Sequence, residues 1–180
     1  PEAIPEGENF ISFTGAMDYW ANVEAVEWFV RSIWPTIKKQ HPKLKFYVVG
    51  GNPSKGILAL NGKNDVVVTG RVKDIRPYID KAKCVVAPMQ IARGIQNKVL
   101  EAMAMSKAVV MTSLAAEGIS LSNLQNEYVI DEPLLFAEKV SDLLCDIEHS
   151  TSIGADNRVW MSNHYRWDDV LAPLPKLLRN

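Results

Sequence analysis

The sequence has little cysteine, no long apolar run and no surplus of charge of either sign. Its two cysteines, Cys84 and Cys145, lie far apart with no histidine or cysteine beside either. That spacing excludes a disulfide framework and the usual zinc motifs. Each sits in apolar company, so both are expected to be buried thiols in a reducing, cytoplasmic setting. Histidine is as scarce, and His41, His149 and His164 share no metal-ligand spacing. No stretch approaches the roughly 18 consecutive apolar residues of a membrane span. Lysine and arginine total 20 against 21 acidic residues, a net charge of −1, which gives no global field for nucleic acid. The opening "PEAIPEGEN" is polar and proline-rich, unlike a secretory leader. Residues 1–9 read instead as a linker within a longer polypeptide.

What remains is globular. A 47% hydrophobic and 23% charged composition suits one domain with a full core. Strand-like and helix-like stretches alternate. Short β-branched or aromatic runs occur at 9–15, 44–51, 65–70, 83–88 and 108–113, with a weaker one at 127–131. Between the first two, residues 22–40 repeat apolar side chains at helical spacing, with Pro35 expected to bend or break the helix. Shorter helices fit 54–61 and 72–82, and longer ones 132–149 and 158–165. A last helix over 167–178 would be capped by Asp168 and Asp169. The pattern predicts an α/β fold, a parallel sheet of about six strands with helices on both faces. Trp28 and Trp34 read as core aromatics, whereas Trp160, Tyr165 and Trp167 are expected at an exposed surface.

In such sheets ligands bind beyond the carboxyl ends of the strands. Those ends carry Gly15, Gly50-Gly51, Gly70-Arg71 and the loop leading to Ile95. The stretch "ARGIQNKVLEAMAM" is the most suggestive. Gly94 lets backbone approach a ligand, and the helix after it turns unpaired amides toward the loop. Arg93 and Lys98 bring positive charge to the same place, so a phosphate or diphosphate fits. Glu101 lies one turn beyond Lys98, where a carboxylate can accept from a ribose diol or simply pair with Lys98 in solvent. Asp18 and Tyr19 read either as a helix cap or as a ligand contact, and Glu117-Gly118 as a turn or a cleft border.

The stretches "FTGAMDYWANVEAVEWF", "VVVTGRVKDIRPYI" and "ARGIQNKVLEAMAMSKAVVMT" together resemble the retaining glycosyltransferases of family 4 (group 1). The likeness is greatest to sugar transferases associated with exosortase (PEP-CTERM) exopolysaccharide systems. It runs over nearly the whole chain. The resemblance implies the carboxyl-terminal, donor-binding, Rossmann-like half of the two-domain GT-B fold. Residues 10–150 would be the nucleotide-sugar domain, and 151–180 helices packing back toward an amino-terminal half. It implies that Glu101 holds the ribose, that Arg93, Gly94, Ile95 and Lys98 lie by the diphosphate and transferred sugar, that Gly70, Arg71 and Val72 meet the base, and that Gly15 borders the phosphates. A uridine-linked donor is implied, with no cofactor and no metal, since Lys98, Arg93 and helix amides would neutralise the leaving diphosphate.

Implied partners are a glycan or lipid-linked acceptor and the amino-terminal half, which would hold the catalytic residues. Peripheral association with the inner face of the membrane follows from such an acceptor. The sequence departs from the family at Arg93, where many members carry a second glutamate that contacts the sugar. Its first loop also lacks the usual basic residue. A nucleotide-sugar epimerase or phosphorylase on the same scaffold remains open, as does a nucleotide-binding domain without catalysis. A receiver module needs acidic residues after the first and third strands, which "FTGAMD" and "VVVTGR" do not supply.

Overall fold

The computed structural model describes residues 4–165. Within them a five-stranded parallel sheet runs in the order β3-β2-β1-β4-β5. Its strands are β1 (Phe10–Thr14), β2 (Lys45–Val49), β3 (Val66–Gly70), β4 (Val85–Ala87) and β5 (Val109–Met111). Period-two alternation supplies both faces of the sheet. Ile11 and Phe13 join Phe46 and Val48 in the larger core. Phe10, Tyr47 and Val49 point the other way, into a smaller core with Tyr78 and Ile4. Burial on both faces is why the strands read as nearly continuous apolar runs.

The first helical stretch splits as Pro35 predicts. Helix α1 (Trp20–Ser32) ends before Ile33, and α2 (Trp34–Gln40) restarts with the proline in its first turn. Proline offers no N–H to continue α1, and its ring crowds the carbonyl of Arg31 four residues back. Phe29 of α1 packs against Phe46 at a ring separation of 4.6 Å and edge-on to Phe136. Trp34 is fully buried and donates its indole N–H to the Asn64 carbonyl at 2.8 Å.

Two short helices follow, α3 (Lys55–Leu58) and α4 (Arg76–Asp80). Helix α5 (Asn97–Ala104) then leads into β5. Beyond β5 come α6 (Ser113–Ala116), α7 (Asn123–Asn126), α8 (Pro133–Cys145) and α9 (Ile147–His164). The break between the last two falls at Asp146, whose carboxylate accepts from the His149 N–H at 2.9 Å. An aspartate satisfying a free first-turn amide starts a helix well, so the break comes three residues earlier than the sequence pattern places it.

The expected sixth strand reduces to one bridge, Met111 to Val129. Met111 donates to Tyr128 O and accepts from Ile130 N–H, and no longer ladder forms. The segment is pinned on both sides. Helix α7 ends just before it, and Asp131 turns away to accept from the Ser113 N–H at 2.8 Å.

Two further expectations need correction. Cys84 is buried, which pushes its thiol up to about 12, but Cys145 is exposed at the end of α8. Trp160 is not on an open surface. It is buried between α9 and the core, stacked on His164 at 4.6 Å. The reading of Trp167, Asp168 and Asp169 falls outside the described residues.

Helix α9 continues without interruption across position 150 and packs along α5. At Gly154 a Cβ would stand 2.1 Å from the Ser106 carbonyl oxygen. Only glycine admits that approach. Asn157, three residues on, donates to the Lys107 carbonyl at 2.8 Å. No helix among the described residues is long and apolar enough to cross a membrane.

Candidate functional site

The chain runs from β1 outward to β3, then returns to place β4 on the other side of β1. The strand order therefore reverses between β1 and β4, and a crevice opens beyond their carboxyl ends. A cavity of about 550 Å³ lies there, lined by residues that follow β1, β2, β3 and β4. That volume suits a nucleotide-sized ligand.

Its floor is made where two loops meet. Gly15 donates its N–H to Val49 O at 3.0 Å, and Met17 donates to Gly51 O at 2.9 Å. Asn52 joins the same loops through a 3.0 Å bond to the Asp18 carboxylate. Gly50 sits at φ +155°, and a Cβ on it would fall 1.7 Å from the Gly15 carbonyl oxygen. The two loops can touch only without side chains there. Asp18 is thus a brace between loops. Tyr19, whose side chain makes no cap bond to α1, lines the cavity.

One wall is α5. No side chain caps its amino end, so its first amides remain available where Gln96, Asn97 and Lys98 line the cavity. The Lys98 ammonium lies 2.5 Å from Asn22 Oδ1, 3.4 Å from the Met89 sulfur and 4.5 Å from the centre of the Phe13 ring. Burial pulls its pKa down to about 8, against the opposing field of Glu101. Glu101, one turn on, is itself raised above the ordinary carboxylate range by burial, an effect that Lys98 reduces. The opposite wall carries Arg71 and Val72 from the end of β3. The Arg71 side chain lies over Gly51, with Nε 3.4 Å from where a Gly51 Cβ would be.

Six of the nine residues that the resemblance assigns to the donor line this one cavity: Gly15, Arg71, Val72, Ile95, Lys98 and Glu101; Gly70, the last residue of β3, is not in its lining. Arg93 and Gly94 do not line it either. Both are exposed, Gly94 with φ +70°, on the loop just outside. Glu117 is absent from the lining too, although Gly118 abuts the loop, its missing Cβ 3.2 Å from Ile95.

Sequence reasoning passed over Asn22, Asn52 and Ile75. Asn22 left a signal. It occupies the buried stripe of α1 with Ala21, Ala25, Val26 and Phe29, where an amide must have hydrogen-bonding work to do. Among the described residues no three His, Cys, Asp or Glu side chains gather in a group able to hold a metal ion.

Comparison with known proteins gives the same picture. The chain is 22% identical over 174 residues to an uncharacterized 44.6 kDa protein in the cps region of Klebsiella pneumoniae, a match that takes in 92% of this chain and 45% of that one. This chain therefore spans under half the length of that curated relative. A point mutant of S. aureus TarM, complexed with fondaparinux, alpha-GlcNAc-glycerol and UDP, superposes with TM-score 0.76 at 17% identity, over 99% of this chain and 38% of its own. The C-terminal domain of a group 1 glycosyl transferase, LpcC from Francisella tularensis, gives TM-score 0.69 at 18% identity, over 91% and 89%. Such structures share the fold, that of a GT-B glycosyltransferase domain. The family model described as glycosyl transferases group 1 matches residues 8–146, from the strand under the cavity to the end of α8, and the chain belongs to that family.

Proposed function

We propose that this chain is the donor-binding half of a retaining glycosyltransferase that uses a uridine-linked sugar and acts in exopolysaccharide or related glycan synthesis. One observation carries the reading. A single cavity joins an uncapped helix end and a half-buried lysine to a carboxylate one turn along that helix. The diphosphate rests over Gly15 and Gly50, against the α5 amides and Lys98. Glu101 accepts from the ribose hydroxyls, as a carboxylate does well. The base lies toward Arg71 and Val72. Arg93, Gly94 and Ile95 border the sugar end, on the exposed loop that precedes α5.

Transfer requires the leaving diphosphate to be stabilised as its bond to the sugar breaks. Lys98 and the amides at the start of α5 supply that positive field here. The acceptor, a glycan or a lipid-linked glycan at the inner membrane face, approaches from the opposite side of the cavity. Its binding and catalytic residues belong to an amino-terminal half. Exposed apolar side chains, two of them in the cavity lining (Tyr19 and Ile95), support such a partner. Tyr19, Trp20, Ile95, Leu114, Leu134 and Leu135 are exposed, all on segments that follow the carboxyl ends of the strands or the β5 bridge. Exposed apolar surface of this kind is what a closing domain would cover.

Calorimetry with UDP, ADP, GDP and a panel of uridine-linked sugars tests the donor reading. UDP is expected to bind, weakly in the isolated half and better than the purine diphosphates. A folded protein that binds none of them overturns the proposal. Residues 1–180 mixed with donor and acceptor are expected to give only background hydrolysis, because one open half neither excludes water nor completes the catalytic set. Robust transfer would overturn the half-enzyme reading.

A further inference from the structure

We infer that Asn22 is the positioning residue that aims Lys98 at the donor diphosphate, an inference resting on the nucleotide reading above. Its side chain is almost wholly buried in the cavity lining and connects the loop after β1 to helix α5, the two elements that flank the phosphates. Nδ2 donates to the Ala16 carbonyl at 2.9 Å, fixing the loop after β1. Oδ1 accepts from the Lys98 ammonium at 2.5 Å, fixing the wall formed by α5. Both ends of one amide are used, each on a different element.

The choice of amide matters chemically. A neutral acceptor orients an ammonium without cancelling its charge, so the remaining N–H donors and the full positive charge stay available to an anion. An aspartate of the same shape would pair with Lys98 and set a negative charge beneath the phosphates. The other partners of the ammonium, the Phe13 ring and the Met89 sulfur, are uncharged as well. The titratable groups sharing the cavity are Glu101 on the same helix, Arg71 on the far wall and Tyr19 at the loop.

Asn22 also gives Gly15 a second purpose. A Cβ at position 15 would lie 2.6 Å from Asn22 Nδ2 and 3.0 Å from its amide carbon. The glycine makes room for the amide that holds Lys98, in addition to letting a phosphate come near. Gly15→Ala is therefore expected to act through Asn22 and to share its phenotype.

The test compares UDP with uridine for wild type, Asn22→Asp and Asn22→Ser, with thermal melting to confirm folding. Asn22→Asp is expected to weaken UDP at least tenfold and uridine less than twofold, and to move the loss of UDP affinity with pH upward, since a carboxylate beside Lys98 holds its proton more tightly. Asn22→Ser, smaller and without overlap, is expected to lose several-fold for UDP alone. Equal losses for both ligands, or a pH dependence unchanged in Asn22→Asp, would make Asn22 a merely structural amide and overturn the inference. Should Asn22→Asp not fold, the serine variant decides by the same comparison. Wild-type protein that binds no UDP instead defeats the nucleotide reading itself, which separates the two failures.

Discussion

Gly50 and Gly15 meet so closely that a Cβ on Gly50 would lie 1.7 Å from the Gly15 carbonyl oxygen. The contact is backbone against backbone, so no side chain can rotate away. Gly50→Ala is expected to force the loops apart, destabilise the fold by about 1–3 kcal/mol and reduce nucleotide binding with it. Denaturant melts and calorimetry on the same samples measure both. A variant with unchanged midpoint and affinity would mean that the floor of the cavity is more pliable than this contact implies.

Glu101→Gln keeps shape and removes charge. If the carboxylate accepts from the ribose diol, UDP and uridine should both weaken by roughly 1–3 kcal/mol, the range for charge-assisted hydrogen bonds. A 2′,3′-dideoxy nucleoside diphosphate should then bind wild type and variant alike. Calorimetry showing intact UDP affinity in the folded variant returns Glu101 to a simple partner of Lys98.

Lys98 and Arg93 should separate. Lys98 stands in the cavity wall and Arg93 outside it. Lys98→Met is expected to cost UDP at least tenfold while sparing uridine. Arg93→Ala is expected to leave UDP within about twofold, like other changes away from a contact, and to weaken only the sugar-bearing donor. Titrations of the three ligands against both variants decide this. A large UDP loss at Arg93 would place its side chain on the phosphates.

The pH dependence follows from the same lysine. Free Lys98 is held down to about 8 by burial, with Glu101 opposing the shift. A bound diphosphate stabilises the ammonium and raises that pKa. The Lys98 contribution to binding is therefore complete below about 8 and is lost as pH rises through and beyond it. Affinity for a uridine-linked sugar measured from pH 6.5 to 9 should fall in wild type and stay flat in Lys98→Met. Parallel curves would show that Lys98 does not meet the phosphates.

Much of this was legible in the sequence because the signals were local. β-Branched runs gave the five strands, and Pro35 gave the split between α1 and α2. Gly15, Arg71, Lys98 and Glu101 were found because each follows a strand end in an α/β chain. Three-dimensional facts were less visible. Residues 127–131 have strand composition, but Asp131 is drawn off to the Ser113 amide, so one bridge forms. Trp160 looked exposed because α9 is polar elsewhere, and its burial depends on packing that only the folded chain shows. Arg93 stands five residues before Lys98, yet Gly94 at φ +70° intervenes and the side chain lies outside the cavity. Asn22 was hidden by distance along the chain, 76 residues from the lysine it holds.

The seam at Gly154 has a consequence for building chimeras. The family match stops at 146, one residue short of α9, yet α9 packs along α5 and, through Gly154 and Asn157, braces the turn that follows it at Ser106 and Lys107. Lys98 and Glu101 ride on α5. Exchanging donor specificity between relatives by transplanting only the matched segment would mate a foreign α5 to a native α9, with any residue larger than glycine colliding at the Ser106 carbonyl. The transferable unit is α5 together with α9, and recombination junctions belong beyond His164.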